Sequence, residues 1–477
     1  VKQAVFKMRL ALADLAFKLG LFALVSVLMP WVCGGTDSTG GVVTDATNVA
    51  ASEFAYAYKE FYMGGIENAN RSATVLLDRL TAKGQPFQME GSKVIMAVKT
   101  KRNGGAAFTT GRGPWPTAGS TDGIRPESTH SRLVQAVAFD LSTLQLAATD
   151  RGAFGRVMDV EMSDVEETGR LILSHALYKD KTRRLGTVAS GANSTTIVFD
   201  NAGLENAVSG DITKYFFVGQ YIDFVSGANA TLDEGLEVVS INPTANSVTF
   251  DATVDAGVVA GSYAVPGRLG GGGNDLNRGV SGLAAALGST TNTYWGINRS
   301  TAANALWRPV RVDAGNGGAA AALSQQLLRK LKGIVRRTGA DRGGRMAPGM
   351  QEGAMWLTSI EDKDAYTNLL TNLNRTVNTF ELKGNWVAIE AEGYPMVDDA
   401  DAPVGRIRFL NWADWNLGSP TGNITPTLIN APDGLVFRQV STYDLWAAYL
   451  SAELELGCFM PNRSGELYNL NTAAYAV

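Results

Sequence analysis

Residues 279–309 read GVSGLAAALGSTTNTYWGINRSTAANALWRP. The core of this stretch is Tyr294-Trp295-Gly296-Ile297-Asn298-Arg299-Ser300-Thr301, and Leu306-Trp307-Arg308-Pro309 closes it. The chain around it has 477 residues, more than one ordinary domain holds, so two or three cores or one domain with insertions are expected. Hydrophobic residues make up 45% and charged residues only 18%, a balance that suits extensive burial between subunits. Glycine, at 53 residues with no collagen period, marks turns and bulges rather than a fibre. A formal net charge of −4 excludes a dedicated nucleic-acid binder, which needs basic density to release counterions.

Immediately upstream, residues 267–273 (GRLGGGG) are a glycine cluster. It lacks the Gly-Lys-[Ser/Thr] and the strand-to-helix context of a phosphate cradle, so it reads as a hinge. Before it, residues 185–266 change texture to short β-prone runs at 195–199, 215–224, 236–241, 247–250 and 262–265. Asn, Gly and Pro separate them, and that rhythm predicts a small β-barrel or sandwich. A carbohydrate-binding module would want exposed Trp, and the segment contains none. Ser163-Asp164-Val165-Glu166 has the capping-box pattern and should open or restart a helix running to about Lys179. Its acidic start (Glu166, Glu167) and basic end (Lys179, Lys181, Arg183, Arg184) suit the helix dipole, and His175 within it reads as packed rather than as a base.

Further upstream, residues 93–101 alternate, with Val94, Met96 and Val98 on one side and Lys93, Lys99 and Lys101 towards the ends of the other. Residues 131–146 do the same through Leu133, Gln135, Val137, Phe139 and Leu141. Between them, residues 104–130 are rich in Gly, Pro, Thr and Ser, carry Trp115, and cannot hold a core. Two long strands with a soft tip predict an extended hairpin, and a loop of this length usually has a task. Residues 51–80 have helical spacing and an aromatic patch (Phe54, Tyr56, Tyr58, Phe61, Tyr62), read as core-facing.

Downstream, residues 323–335 are a clean amphipathic helix, apolar through Leu323, Leu327, Leu328, Leu331, Ile334 and Val335. Arg329, Lys330, Lys332, Arg336 and Arg337 take the other face and the C-terminal end, where dipole and solvation account for them. Residues 354–359 read as a buried strand, 361–370 as a helix, and 386–390, 394–397 and 406–410 as strands. Asp398, Asp399 and Asp401 lack the Gly and distal Glu of a calcium loop, so a solvated turn is expected there. Residues 435–460 alternate into a final strand.

At the N-terminal end, Lys2, Lys7 and Arg9 precede an apolar run at 19–32. It is shorter than the roughly 18 residues a spanning helix wants, Pro30 interrupts it, and no small-residue cleavage site precedes Cys33. Val5, Met8, Leu12, Leu15, Leu19 and Phe22 fall at helical spacing, which favours a helix packed on a neighbouring subunit over membrane use.

The core of 279–309 resembles the start of the A domain in major capsid proteins of tailed bacteriophages, where a short helix precedes a Gly-[ILV]-[DN]-Arg-[ST] turn and a Trp-rich strand. The matching residues are Trp295, Gly296, Ile297, Asn298, Arg299, Ser300 and Trp307, and the surrounding elements follow in the matching order. The resemblance implies an α+β Hong Kong 97-like fold: an N-terminal arm with helices (1–85), an E-loop hairpin (86–147), a spine helix and P domain (148–184), an inserted β domain (185–266), the A domain (267–434), and a final P-domain strand and tail (435–477). It implies a shell of hexamers and pentamers enclosing double-stranded DNA in a virion assembled in the host cytoplasm, with portal, scaffold and decoration proteins as further partners. Mild acidity fits such a container, whose inner wall must not grip the genome. On this reading Lys93, Val94, Met96, Val98, Lys99, Lys101, Trp115, Leu133, Val137 and Phe139 contact an adjacent subunit. Some shells of this fold are cross-linked between a Lys and an Asn, but no motif here fixes the Asn.

No catalytic residue, cofactor site or metal site is expected. Two cysteines (Cys33, Cys458) and two distant histidines (His130, His175) give no disulfide framework, zinc pair or His-based triad. Gly-x-Ser-x-Gly, HExxH and Walker A patterns are absent. The alternatives are an encapsulin-like compartment, which shares the fold, and an exported β-rich adhesion protein, suggested by 19–32 and by sequons at Asn193, Asn298, Asn374 and Asn462.

Overall fold

The computed structural model describes residues 74–83, 93–101, 103–109, 113, 115–140, 151–200, 212–268, 273–339, 353–372, 379–382, 386–419, 427–428, 438–439 and 445–471. Of the expected N-terminal arm and helices, residues 1–73, with the apolar run at 19–32 and the aromatic patch at 54–62, lie outside the described residues.

The first element, α1 (Val75–Lys83), buries Val75, Leu76, Leu77 and Leu80. The chain then runs out and back as paired short strands. β1 (Lys93–Ile95) pairs with β4 (Glu127–Thr129), and β2 (Val98–Lys101) pairs with β3 (Asp122–Ile124), all antiparallel. This corrects the expected pairing of 93–101 with 131–146: the return arm lies inside 104–130. β5 (Ser131–Asp140) instead pairs along its whole length with β23 (Leu445–Cys458), which also pairs antiparallel with the short strands β20 (Trp415–Gly418), β21 (Thr427–Leu428) and β22 (Arg438–Gln439). Alternation fixes which face a strand buries, not which strand it meets.

The 28-residue helix α2 (Arg151–Tyr178) packs on β5, with the Gln135 side-chain amide donating to Val165 O at 2.6 Å. At 1.5 Å per residue it is about 42 Å long, the longest helix described. Ser163 lies inside α2 rather than at its start, so the capping-box pattern is not used as a cap there.

After α2 comes a closed antiparallel barrel of six strands in the order β10-β7-β6-β11-β8-β9. They are β6 (Gly186–Ser190), β7 (Thr196–Asp200), β8 (Tyr221–Val225), β9 (Thr231–Asn242), β10 (Ser247–Phe250) and β11 (Tyr263–Pro266). Inward positions alternate with outward ones, and Ile197, Phe199, Ile222, Phe224, Val238, Val248 and Phe250 fill the barrel with its own core. Closure leaves no free sheet edge.

The remaining chain forms a mixed seven-stranded sheet, β14-β24-β19-β15-β18-β17-β16. Its strands are β14 (Val310–Asp313), β15 (Ala354–Thr358), β16 (Thr379–Leu382), β17 (Trp386–Ala391), β18 (Tyr394–Asp398), β19 (Ile407–Asn411) and β24 (Gly465–Tyr468). Trp356, Ile389, Met396 and Phe409 point to one face, where Leu328, Leu331 and Val335 of α4 (Gln325–Gly339) and Tyr366 of α5 (Ile360–Asn372) cover them. Met355, Leu357, Val397 and Leu410 point to the opposite face and join the larger core with α1, α2 and β23. β24, which the sequence reading placed with a P-domain tail, inserts between β14 and β19 of this sheet. The chain therefore returns to the sheet after β23 has paired with β5.

Candidate assembly interface

Residues 279–309 form a brace between α2, β23 and the root of the hairpin. α3 (Leu283–Leu287) starts against the end of α2: a Cβ on Gly282 would lie 2.3–2.5 Å from the carbonyl oxygens of Lys179, Leu177 and Ala176. No side chain fits there. β12 (Thr293–Tyr294) and β13 (Ile297–Asn298) then form a tight hairpin whose two loop residues, Trp295 and Gly296, have φ of +48° and +71°. Positive φ at both positions is the type I′ turn that matches strand twist, and it explains the glycine. Arg299, fully buried, points its Nη1 at the carbonyls of Ala286 (2.8 Å) and Ser289 (3.2 Å) and at Asn292 Oδ1 (3.3 Å), while its guanidinium lies 4.4 Å from the Tyr294 ring centroid. A cation at the C-terminal carbonyls of α3 satisfies groups that the helix leaves unpaired. Burial lowers this guanidinium to about 10, so it remains a cation at neutral pH.

The remaining polar groups of the motif are used in the same way. Asn298 Oδ1 accepts from the Ser300 amide (2.9 Å) and hydroxyl (2.7 Å). Arg308 donates to the carbonyls of Arg299, Ser300 and Thr301. Trp307, fully buried, stacks on Tyr294 at 5.9 Å, and the Tyr294 hydroxyl accepts from the Cys458 amide of β23 at 3.2 Å. The expected Trp-rich strand is a 3₁₀ turn, Ala302–Trp307. Turning there swings Trp307 back under Tyr294 instead of alternating it outwards. Of the seven motif residues, Trp295, Arg299 and Trp307 are buried, Ile297 is half-buried, and Gly296, Asn298 and Ser300 are exposed on the same turn; Trp295, Trp307 and Tyr294 lie in the core shared with α2.

The hairpin leaves the body at this junction. Glu127 N donates to Trp295 O at 2.9 Å, Met96 N donates to Pro126 O at 2.9 Å, and the Lys93 ammonium pairs with Glu127 at 2.7 Å. An open cleft of about 340 Å³ lies beside this root, lined by Lys93, Ser128, Lys181, Ser281, Tyr294 and Trp295 among others. The predicted contact residues divide. Val94, Met96, Val98 and Val137 are buried in the chain's own core, which corrects their assignment to a neighbouring subunit, because side chains already packed internally offer no area elsewhere. Leu133 is half-buried, and Phe139 contributes its backbone to β5. Lys93, Lys99, Lys101 and Trp115 are exposed; Trp115 is 94% exposed and Phe108, which sequence reasoning did not single out, is wholly so.

Two buried charge clusters hold the body behind the hairpin. Glu466 on β24 sits among Arg406 (2.9 Å), Arg408 (3.3 Å) and Arg311 (3.1 Å). Burial alone would raise this carboxyl, but the three guanidiniums pull it down to about 2. Asp399 and Asp401, expected in a solvated turn, are instead buried: Asp399 accepts from Leu76 N at 3.0 Å, and Asp401 accepts from the Ser174 hydroxyl at 2.5 Å and faces His175 at 3.4 Å. The turn ties α1 to the end of α2, and burial raises the Asp399 carboxyl. Neither cluster was visible as such in the sequence, since the partners lie 58 to 155 residues apart around Glu466 and more than 200 apart at Asp399 and Asp401. Among the described residues no group of three or more His, Cys, Asp or Glu side chains could hold a metal ion. No described helix is long and apolar enough to cross a membrane.

No family model matches the chain, and no curated protein matches it in sequence. Among solved structures, a chain of the cyanophage A-1(L) capsid asymmetric unit matches with a TM-score of 0.52 at 14% identity, covering 87% of this chain and 98% of that one. The chain has a phage-capsid fold. Weaker likenesses extend to the capsid of a native GTA particle (TM-score 0.44, 10% identity, 90% of this chain and 100% of that one) and to the SrpI encapsulin of Synechococcus elongatus (TM-score 0.39, 10% identity, 86% and 95%).

Proposed function

We propose that this chain is the major capsid protein of a tailed phage, whose copies assemble into an icosahedral shell around double-stranded DNA. The observation that carries the reading is the capsid fold, matched over 87% of the chain and nearly all of the cyanophage chain. In the Hong Kong 97 arrangement, the β1–β4 hairpin corresponds to the E-loop, α2 with β5 and β23 to the spine helix and P domain, and the barrel to an inserted domain. The seven-stranded sheet corresponds to the A domain, which would meet its copies around the axes of hexamers and pentamers. The chain acts by assembly rather than catalysis. A persistent contact buries on the order of 1,000 Å² or more, and closure of the shell multiplies modest contacts into a durable particle. Portal, scaffold and decoration proteins, and assembly in the host cytoplasm, follow from the same reading.

The exposed aromatic tip supports it: Phe108 and Trp115 stand in water at the end of a hairpin, an arrangement stabilised by covering them with another copy. The test is negative-stain microscopy of the full chain beside a variant in which residues 104–120 are replaced by a short Gly-Ser linker. The deletion must stop before β3, because Pro126 and Ser128 are buried at the root. Shells from the full chain, and folded but particle-poor protein from the variant, are expected. Compact monomers from both, even when concentrated, would remove the reading.

A further inference from the structure

Charge is distributed very unevenly along this chain. The barrel segment 186–266 holds nine carboxylates and one lysine, Lys214, a formal charge of −8. The hairpin segment 93–129 holds six basic residues and two acidic ones, a formal charge of +4. Within the barrel, Asp233, Glu234, Glu237, Asp251 and Asp255 are half-buried or exposed and adjoin one another: Asp255 N donates to Asp233 Oδ2 at 2.7 Å and Glu237 N to Asp251 Oδ1 at 3.0 Å. Among the described residues none of the five forms an ion pair with a Lys or Arg. Val239, two residues from Glu237 on the same outward face of β9, is 52% exposed. The surface is therefore acidic with an apolar element.

The hairpin presents the complement. Lys99, Lys101 and Arg125 are exposed along its arms, and Phe108 and Trp115 are bare at its tip. Nine residues of extended chain from 93 to 101 span roughly 30 Å, about the diameter of a small domain, so the tip stands well away from its own root. Among the described residues no hydrogen bond or ion pair joins this hairpin to the barrel of the same chain.

We propose that the basic, aromatic-tipped hairpin of one copy docks on the acidic outer face of the barrel of a second copy. The inference rests on the proposed shell function and goes beyond it by naming the surface that receives the tip. Opposite charges would steer the encounter and fix its register, while burial of Trp115 and Phe108 against the apolar element would hold it. It also assigns the barrel a task, as the receiving half of an intersubunit contact.

The test uses assembled particles of the full chain carrying a photo-crosslinking amino acid at Trp115. Cross-links to residues 231–259 of another copy are expected; cross-links confined to α2, β5 or the seven-stranded sheet would overturn the docking while leaving the shell intact. Absence of particles from the unmodified chain would instead strike at the shell reading itself. A charge swap provides the second arm. Lys99→Glu with Lys101→Glu, or Glu234→Lys with Glu237→Lys, is expected to lower particle yield about tenfold, since like charges placed opposite one another are strongly unfavourable. Combining all four should restore yield to within about threefold of the unmodified chain. Equal yields for all variants, or a fourfold variant worse than either parent, would overturn the proposal; soluble, folded subunit in each case separates assembly from folding.

Discussion

Two loop-like segments of this chain, 279–309 and the tip between β2 and β3, look alike in composition, both rich in Gly, Thr and Ser with an embedded Trp. Their fates are opposite. In 279–309 the aromatic rings are buried and Arg299 is sealed among carbonyls and Asn292; at the tip, Trp115 and Phe108 face water. A recognisable motif therefore need not be the surface that meets partners. Here it is the clamp that aims the hairpin, since Trp295 O receives the Glu127 amide at the root. The surface with work to do elsewhere is the one whose side chains the chain leaves unused.

The comparison is most exposed to failure at Trp307. Replacing a fully buried Trp by Ala in a packed core costs about 3–5 kcal/mol. Trp307→Ala should therefore lower the unfolding free energy of the unassembled subunit by that amount, read from the midpoint and slope of its denaturant transition. A loss below about 1 kcal/mol would mean that 279–309 is not a brace.

The next largest effect is acid lability. The Glu466 carboxyl is depressed from 4.5 to about 2, so its contribution is present above the unfolded value near 4.5 and is lost as pH falls towards 2. A shift of that size corresponds to on the order of 3 kcal/mol. Subunit stability should fall steeply between pH 4.5 and 2, and Glu466→Gln should flatten that limb. It should also lower stability at neutral pH, because three guanidiniums then lose their buried counter-charge. An unchanged acid limb in Glu466→Gln would assign the acid lability to other carboxylates.

How much of this was legible beforehand depends on whether a signal was local. The barrel was readable because 247–250 and 236–241 alternate between Asn- and Gly-rich turns, and these runs lie within β10 and β9. β6 (GTVAS) escaped notice, since its small residues carry little periodicity. The pattern at 215–224 predicts one strand, but Thr213–Tyr215 turns as a 3₁₀ helix and the strand begins only at Tyr221. At the candidate interface, alternation in 93–101 correctly marked Val94, Met96 and Val98 as one face but could not say that this face turns inwards. The β3 and β4 arms, with Gly123, Arg125 and Pro126, have no alternating apolar run to read. The run Asp398–Asp401 looks solvated in sequence because its donors, Leu76 N and Ser174, are supplied by distant elements.

Gly296 offers a smaller and sharper probe. Its φ of +71° is the reason for glycine, while a Cβ would meet Glu127 only at 3.6 Å, an ordinary contact. Gly296→Ala should therefore cost about 1–2 kcal/mol from backbone conformation alone. Asn, which tolerates the left-handed region, should recover part of it. Equal losses for Ala and Asn would point to the contact with Glu127 instead, and so to the aim of the hairpin.

The smallest stability effect is expected where the largest assembly effect lies. Trp115→Ser and Phe108→Ser remove exposed side chains with no packing in the subunit, so unfolding should move by no more than about 0.5 kcal/mol. If those rings are covered in the shell, the same variants should assemble poorly, since aromatic anchors of this kind often contribute 2 kcal/mol or more to an interface. Sedimentation of particles and thermal unfolding of free subunits, measured on one preparation, separate the two quantities. A stability loss matching the assembly loss would place the tip inside the subunit's own fold and erase the contrast with 279–309; assembly lost at constant stability would locate the function of this chain on the hairpin rather than on its motif.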